Sequence, residues 1–219
     1  MCKGKLLLIG GGGHCRSVID SIDTSIYGDI VIIDLPEKVG QVISNIKIVG
    51  TDNELQDLFL CGYTNASITI SNLASQRKRV EIYKKLKSFG YTFPTIIDAT
   101  AIVSDTNTVI EEGVFIGKGV IINTSVHIGA FSIINSGAVI DHDVKVGRFS
   151  HIAPGAILSG YVMVGDYSHV GTGSSVIQSV SIGNRTIIGA GSVVVRDIPC
   201  NITAFGNPCV VQKSEGVLL

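Results

Sequence analysis

The 219-residue chain is poor in charge: Asp, Glu, Lys and Arg make up only 16% of it, against about a quarter in ordinary soluble domains. Its 17 basic and 18 acidic residues leave a formal net charge of −1. No field of one sign is therefore available to draw nucleic acid or an anionic membrane surface. Long apolar runs are also missing. Stretches such as Leu6–Ile9 and Val193–Val195 fall far short of the roughly 20 residues that span a bilayer. Lys3 and Lys5 precede Leu6 as in a signal peptide, but Gly10 ends the apolar segment and no cleavage-type stretch follows. Cysteine is sparse and scattered, at Cys2, Cys15, Cys61, Cys200 and Cys209, with no Cys-x-x-Cys. That usage fits free thiols in a reducing cytoplasm better than a disulfide framework or a zinc site. The mean hydropathy is nevertheless high, at +0.43. With membrane burial excluded, burial between copies of the chain accounts for it.

Residues 1–95 and 96–219 follow different periods. In the first part, Lys5–Ile9 reads as a short apolar strand broken by Gly10-Gly11-Gly12-Gly13, after which Ser17, Val18 and Ile22 recur at helical spacing. Asp29–Asp34 and Ser67–Ser71 read as further strands. Thr51-x-x-Glu54 is a capping box opening a helix through Leu60. Ser75–Phe89 reads as a basic amphipathic helix closed by Gly90. This alternation predicts an α/β module, a small Rossmann-like parallel sheet.

From Val109 the period becomes six. Every sixth residue from Ile110 to Val194 is aliphatic, without a miss. Four residues after each stands a small or β-branched residue, from Val114 through Ser132 and Ala138 to Ile198. Glycine often follows the aliphatic, as at Gly117, Gly129, Gly147 and Gly165. Neither a 3.6-residue helix nor a two-faced strand keeps such a period. A coil of flat faces does: each hexad is one short strand and a bend, the aliphatic fills the interior, and glycine supplies the bend's backbone angles. Three hexads close a triangular turn, so the run predicts a parallel β-helix of about five turns stabilised by stacking of neighbours.

His142, between Asp141 and Asp143, has the makings of a catalytic base. The inward positions of its hexad are Ile140 and Val144, so His142 decorates the outside. Acyl transfer to an amine or hydroxyl needs a proton acceptor, for which imidazole is suited at neutral pH. A neighbouring carboxylate can hold the ring and favour its charged form; Asp141 and Asp143 are both candidates. A merely solvated histidine is the plain alternative. His151 and His169 are one 18-residue turn apart and are expected to stack on one edge. The spacing of His142, His151 and His169 argues against three histidines converging on zinc, as a carbonic-anhydrase-like enzyme requires. Gly10–His14 follows a strand and opens a helix, the context in which backbone amides approach a phosphate. The third glycine of a dinucleotide fingerprint is absent, Cys15 standing there, so full NAD binding is not expected. A tight turn without ligand remains the alternative.

The hexads resemble those of left-handed β-helix acyltransferases, and Asp197-Ile198-Pro199 with Gly206-Asn207-Pro208 resembles that family's exit from the coil. Joined to the Gly-rich module, residues 4–210 resemble bacterial nucleotide-sugar acetyltransferases of the sialic acid O-acetyltransferase type. Their pattern is nearest to that of the UDP-4-amino-sugar N-acetyltransferases. The resemblance implies a left-handed coil, acetyl-CoA as cosubstrate with no metal, and a cytoplasmic homotrimer with active sites between subunits. It implies His142 as general base polarised by Asp143, and the Gly160 N–H as oxyanion donor. His151 matches a position that contacts the cofactor, Thr172 and Ala190 match positions whose backbone touches pantetheine, and Asn135 matches a polar residue common in the family and is expected to bind the substrate. Gly13, His14 and Asp34 match positions that bind the nucleotide-sugar acceptor in the N-terminal domain. Ser71 matches another such position, where relatives often have glycine. The expected activity is N-acetylation of a nucleotide-linked amino sugar for a cell-surface glycan or glycoprotein. O-acetylation of a sialic-type sugar is the nearest rival, and a non-catalytic β-helix scaffold is the rival from another class.

Overall fold

The computed structural model describes residues 3–71 and 76–212. The chain divides into two compact units, Met1–Ile96 and Ile97–Leu219. In the first, β1 (Gly4–Ile9), β2 (Tyr27–Ile33), β3 (Val42–Ile43), β4 (Ile46–Gly50) and β5 (Asn65–Ile68) form one sheet in the order β3-β4-β2-β1-β5. Helix α1 (Gly13–Ser21) joins β1 to β2, α2 (Leu55–Leu60) joins β4 to β5, and α3 (Gln76–Phe89) follows β5. Leu6, Leu7 and Leu8 of the central β1 are all fully buried, the signature of a strand covered on both faces. Gly90 ends α3 with φ +92°, an angle open to glycine.

The sequence reading needs adjusting here, first at the second strand, which runs Tyr27–Ile33 rather than Asp29–Asp34. The sheet is parallel except for β3, which pairs antiparallel with β4 through Ser44 and Asn45, at φ 47° and 67°. These are the backbone angles of a tight hairpin whose twist matches its strands; two-residue β3 was too short to read from its pattern. The final strand runs Asn65–Ile68 rather than Ser67–Ser71. Thr69 leaves it to hydrogen-bond by Oγ1 with the carbonyls of Ile9 (2.9 Å) and Gly10 (2.6 Å). Helix α1 stops at Ser21, and Ile22 turns extended as its cap. Ser75, expected to open α3, lies outside the described residues. Thr51 and Glu54 do bond, the Glu54 carboxylate accepting from the Thr51 N–H (2.6 Å) and Oγ1 (2.9 Å), but α2 begins only at Leu55 with Glu54 as its N-cap, so the pair closes the turn before the helix and is not a capping box.

The second unit is a left-handed parallel β-helix. Two-residue strands stack into three faces, with partners 18 residues apart, as in Ile121↔Val139, His127↔Lys145 and Ile133↔His151. Face 1 contains Val139–Ile140 and Ile157–Leu158, face 2 contains Lys145–Val146 and Met163–Val164, and face 3 contains His151–Ile152 and His169–Val170. The second residue of each strand points inward, so that Ile116 to Val194 form a continuous aliphatic core. Each buried side chain of this kind contributes roughly 1.5–3 kcal/mol. Ser132, Ser150, Ser168 and Thr186 also lie fully buried, one per turn. Each bonds a carbonyl of the coil, and Ser132, Ser150 and Ser168 each accept the backbone N–H of the residue a turn above. Interior hydroxyls are thereby satisfied without water.

The coil begins earlier than Val109. Ile102–Val103 already pairs with Ile121–Ile122, but at a spacing of 19. One extra residue in the bend before Val109 shifts the register and hides this strand from a period-six reading. The glycines after the inward aliphatics also serve a different purpose from the one expected. A Cβ on Gly129 would stand 2.7 Å from the Arg148 nitrogen, and one on Gly171 would stand 2.6 Å from that of Ala190. These glycines admit the close approach of the next turn. The left-handed angles fall two residues later, at Phe131, Phe149 and Tyr167 on one corner and at Asp143 and Tyr161 on another. Phe131, Phe149 and Tyr167 stack in a column, with ring centroids 4.9 and 5.6 Å apart.

Candidate active site

The bend from face 1 to face 2 carries Asp141, His142 and Asp143. Asp143 takes φ 59°, a left-handed angle that aspartate tolerates better than most residues. Its Oδ2 lies 2.9 Å from Nδ1 of His142. A proton on Nδ1, donated to this carboxylate, leaves Nε2 as a lone-pair acceptor. The hydrogen bond to Asp143 raises the pKa of His142 above 6.5, the nearby Asp141 charge adds to it, and desolvation only partly opposes them. Gly160, one turn above, lies against the ring: a Cβ there would stand 2.6 Å from Cε1 and 2.7 Å from Nε2. The ring of Tyr161 meets the imidazole edge-on, with centroids 5.3 Å apart.

Asn135, Thr172 and Ala190 occupy the other bend that borders face 1, where the chain passes from face 3. His151, on the outside of face 3, reaches this bend, its Nε2 lying 3.2 Å from Asn135 Nδ2. His151 and His169 pair across adjacent turns, with ring centroids 4.9 Å apart. Burial pushes the His169 pKa down to about 4. Thr172 and Ala190 each sit between two glycines, so this bend has little side-chain bulk and an elongated chain could lie close to its backbone. The coil thus brings His142, Asp143 and Gly160 together at one corner. It keeps Asn135, His151, Thr172 and Ala190 at another. Between them runs the outer surface of face 1, which is apolar: Ile121 and Ile157 are each 43% exposed and Val139 is half-buried.

In the first unit, Gly13, His14, Asp34 and Ser71 all line one cavity of about 430 Å³, together with Lys38 and Lys78. It lies beyond the carboxyl ends of β1 and β2, where open α/β sheets bind ligands. Gly12 caps α1 without a side-chain hydrogen bond, and no acid occupies the first turn, so the helix amides are not neutralised by a carboxylate. The Asp34 Oδ2 accepts from the Gly11 N–H (2.7 Å) and from Lys38 Nζ (2.9 Å), and Oδ1 accepts from the Leu35 N–H (2.8 Å). Burial alone would raise its pKa, but these hydrogen bonds outweigh burial and hold it below the usual carboxylate range. Asp34 therefore shapes the glycine loop as well as lining the cavity. His14 is pushed down to about 4, first by burial and then by the charge of Arg79.

The sequence reading missed Asn123, Tyr161, Lys38 and Arg79. The coil's own repeat could have found the first two: Asn123 stands 18 residues before Asp141 and bonds it (3.0 Å), and Tyr161 stands 18 after Asp143. Arg79 stands three residues before the buried Ile82 and seven before the buried Leu86, so the helical spacing of α3 sets it on the buried face, apart from its exposed neighbours Arg77 and Lys78. Among the described residues no group of His, Cys, Asp and Glu is placed to hold a metal ion. None of the described helices is long and apolar enough to cross a membrane.

Comparison with known proteins agrees with this two-part layout. Residues 5–86 match the PglD N-terminal domain, and residues 107–142 match the bacterial transferase hexapeptide model (six repeats). A point mutant of perosamine N-acetyltransferase from Caulobacter crescentus, solved in complex with CoA and GDP-perosamine, is 34% identical. That match covers 97% of this chain and 99% of that one, with a TM-score of 0.90. The acetyltransferase domain of PglB from Neisseria gonorrhoeae, in complex with acetyl coenzyme A, is 30% identical over 96% of this chain and 100% of its own, with a TM-score of 0.88. WeeI from Acinetobacter baumannii, at 20% identity and TM-score 0.81 over 96% of this chain and 100% of its own, shares the fold. No curated protein sequence matches the chain.

Proposed function

Because the chain belongs to the hexapeptide-repeat sugar acetyltransferases with a PglD-type N-terminal domain, we propose that it transfers acetyl from acetyl-CoA to the amine of a nucleotide-linked amino sugar. It is an acetyl-CoA-dependent sugar acetyltransferase. Its similarity along 97% of its length to a perosamine N-acetyltransferase that holds CoA and GDP-perosamine supports transfer to an amine.

The observation that carries the mechanism is the Asp143–His142 contact at 2.9 Å, which leaves Nε2 free beside Gly160. In this mechanism Nε2 takes the proton from the acceptor nitrogen as it attacks the thioester carbonyl. Asp143 holds the ring in the correct tautomer and favours the imidazolium that forms. The Gly160 N–H, for which the resemblance implies the oxyanion role, faces the Asp141 carboxylate at rest and turns from it to steady the developing charge. No acyl-enzyme is involved, since Cys15 and Cys61 lie in the first unit and Cys200 and Cys209 follow the hexads. His151 and the backbone of Thr172 and Ala190 receive the pantetheine arm, and Asn135, 3.2 Å from His151, contacts the acceptor. The first unit, with Gly13, His14, Asp34 and Ser71, receives the nucleotide sugar. No single copy unites the two corners, and the apolar face 1 lies between them. This supports a homotrimer in which one copy's His142 corner meets the next copy's Thr172 corner. Free thiols and the cosubstrate suit the cytoplasm.

A thiol-release assay with acetyl-CoA and a panel of UDP-, GDP- and dTDP-linked amino sugars, with free sialic acid included, tests the reading. Release with an amino sugar, and an amide in the product, is the expected result. Release with sialic acid alone would assign O-acetylation, and no release with any acceptor would leave a binding or scaffold role.

A further inference from the structure

Asp141 is the second carboxylate at the His142 bend, yet it makes no hydrogen bond to the imidazole. Its Oδ1 accepts from the His142 backbone N–H (2.8 Å) and from Asn123 Nδ2 (3.0 Å). The Gly160 N–H also favours its charge. Together these donors outweigh desolvation and hold the carboxyl below its usual range, so it is ionised at neutral pH. Gly160 is also the residue against which His142 Nε2 lies. The base atom and the Asp141 carboxylate therefore border the same backbone unit. An acceptor atom within hydrogen-bond reach of Nε2 stands beside a fixed negative charge that neither gives nor takes the proton, although it helps to raise the pKa of His142.

The two chemistries open to a sugar acceptor differ in charge. An alkyl amine is largely an ammonium at neutral pH, whereas a hydroxyl is neutral. A carboxylate attracts the first by charge-assisted hydrogen bonding and gives the second no comparable advantage. We propose that Asp141 selects the acceptor: its carboxylate draws the ammonium form of an amino sugar to His142 and thereby favours amine over hydroxyl acceptors. This rests on the amine reading above. The balance of the step is complete. The bound ammonium releases one proton to solvent, and the neutral amine forms the C–N bond as the C–S bond breaks. The second proton passes by way of His142 to the departing CoA sulfur.

The test is Asp141→Asn in the full chain, since asparagine keeps an oxygen for the His142 N–H and for Asn123 and removes only the charge. Three quantities are measured: the KM of the amino-sugar nucleotide, the KM of acetyl-CoA, and the inhibition constant of the analogue with hydroxyl in place of the amine. The expected result is an acceptor KM raised about tenfold, the order expected of one charge at a partly exposed site, with kcat compared on the high-pH plateau and changed less, because the Asp141 charge also helps to set the His142 pKa. Acetyl-CoA KM and the inhibition constant of the hydroxyl analogue should stay as in the wild type. An equal rise for amine and hydroxyl ligands would show that Asp141 merely shapes the bend, and would overturn the proposal. So would an unchanged preference. A wild-type protein that acetylates hydroxyl sugars and ignores amines would instead sink the amine reading itself, before any variant is made.

Discussion

Gly160 and His142 stand one turn apart on the same corner, so close that a single methyl group on Gly160 would lie within 2.7 Å of the Nε2 and Cε1 atoms of His142. Gly160 is not in a left-handed conformation, so alanine there meets no backbone strain and acts only through the ring it displaces. Gly160→Ala should lower kcat by roughly 10- to 100-fold, as small misplacements of catalytic groups do. The melting temperature should change little. A variant with wild-type kcat would mean that the imidazole position does not matter.

His142→Ala should lower kcat by roughly 10²–10⁴-fold, the usual contribution of a positioned base. Acetyl-CoA KM should barely move, because the interior beneath is made by Ile140 and Val144. Asp143→Asn should cost less, since the imidazole stays.

The pH–rate profile follows from the same contact. His142 must start neutral, and Asp143 first, then Asp141, raise its pKa above 6.5. The rate should therefore rise with pH through an inflection above 6.5 and level off beyond it. In Asp143→Asn the inflection should move to lower pH. An inflection that stays put would separate Asp143 from the titrating group.

Asp34→Ala should raise the acceptor KM and leave that of acetyl-CoA nearly unchanged. It should also destabilise the first unit, because the loss leaves the Gly11 N–H without its acceptor, a defect worth about 1–3 kcal/mol. Acceptor kinetics and thermal melting read the two effects separately. A selective rise in acetyl-CoA KM would reverse the assignment of the two sites.

Stability should also depend on pH below neutrality. His14 and His169 are pushed down to about 4 in the fold, whereas unfolded histidine titrates near 6.5. Between those values the unfolded chain holds more protons, so stability is full above about pH 6.5 and falls as the pH is lowered towards 4. Melting temperatures at pH 7.5 and 5 should show the loss, and His169→Gln should lessen it.

Light scattering at micromolar concentration should give about three times 23.1 kDa. A monomer would remove the shared site, since the His142 and Thr172 corners could then not meet.

The β-helix was legible in the sequence because each hexad is decided locally. An inward position stacked between identical neighbours admits only an aliphatic residue, and the same demand returns every six residues from Ile110 to Val194. The Gly10–His14 loop was legible for a similar reason, as a strand, a bend and a helix in direct succession. The resemblance carried residue roles onto both. What lay beyond the sequence were relations between positions distant along the chain. Asp141 and Asp143 flank His142 alike in sequence, and only the left-handed bend at Asp143 turns one carboxylate to Nδ1 while the other accepts the backbone N–H. The candidate acceptor residue Asp34 proved to hold Gly11, 23 residues away. One extra residue before Val109 concealed Ile102–Val103, a strand of the coil that precedes the six-residue run. The division of the candidate site between two corners followed from the triangular cross-section, which sets residues six apart on different faces and residues 18 apart side by side.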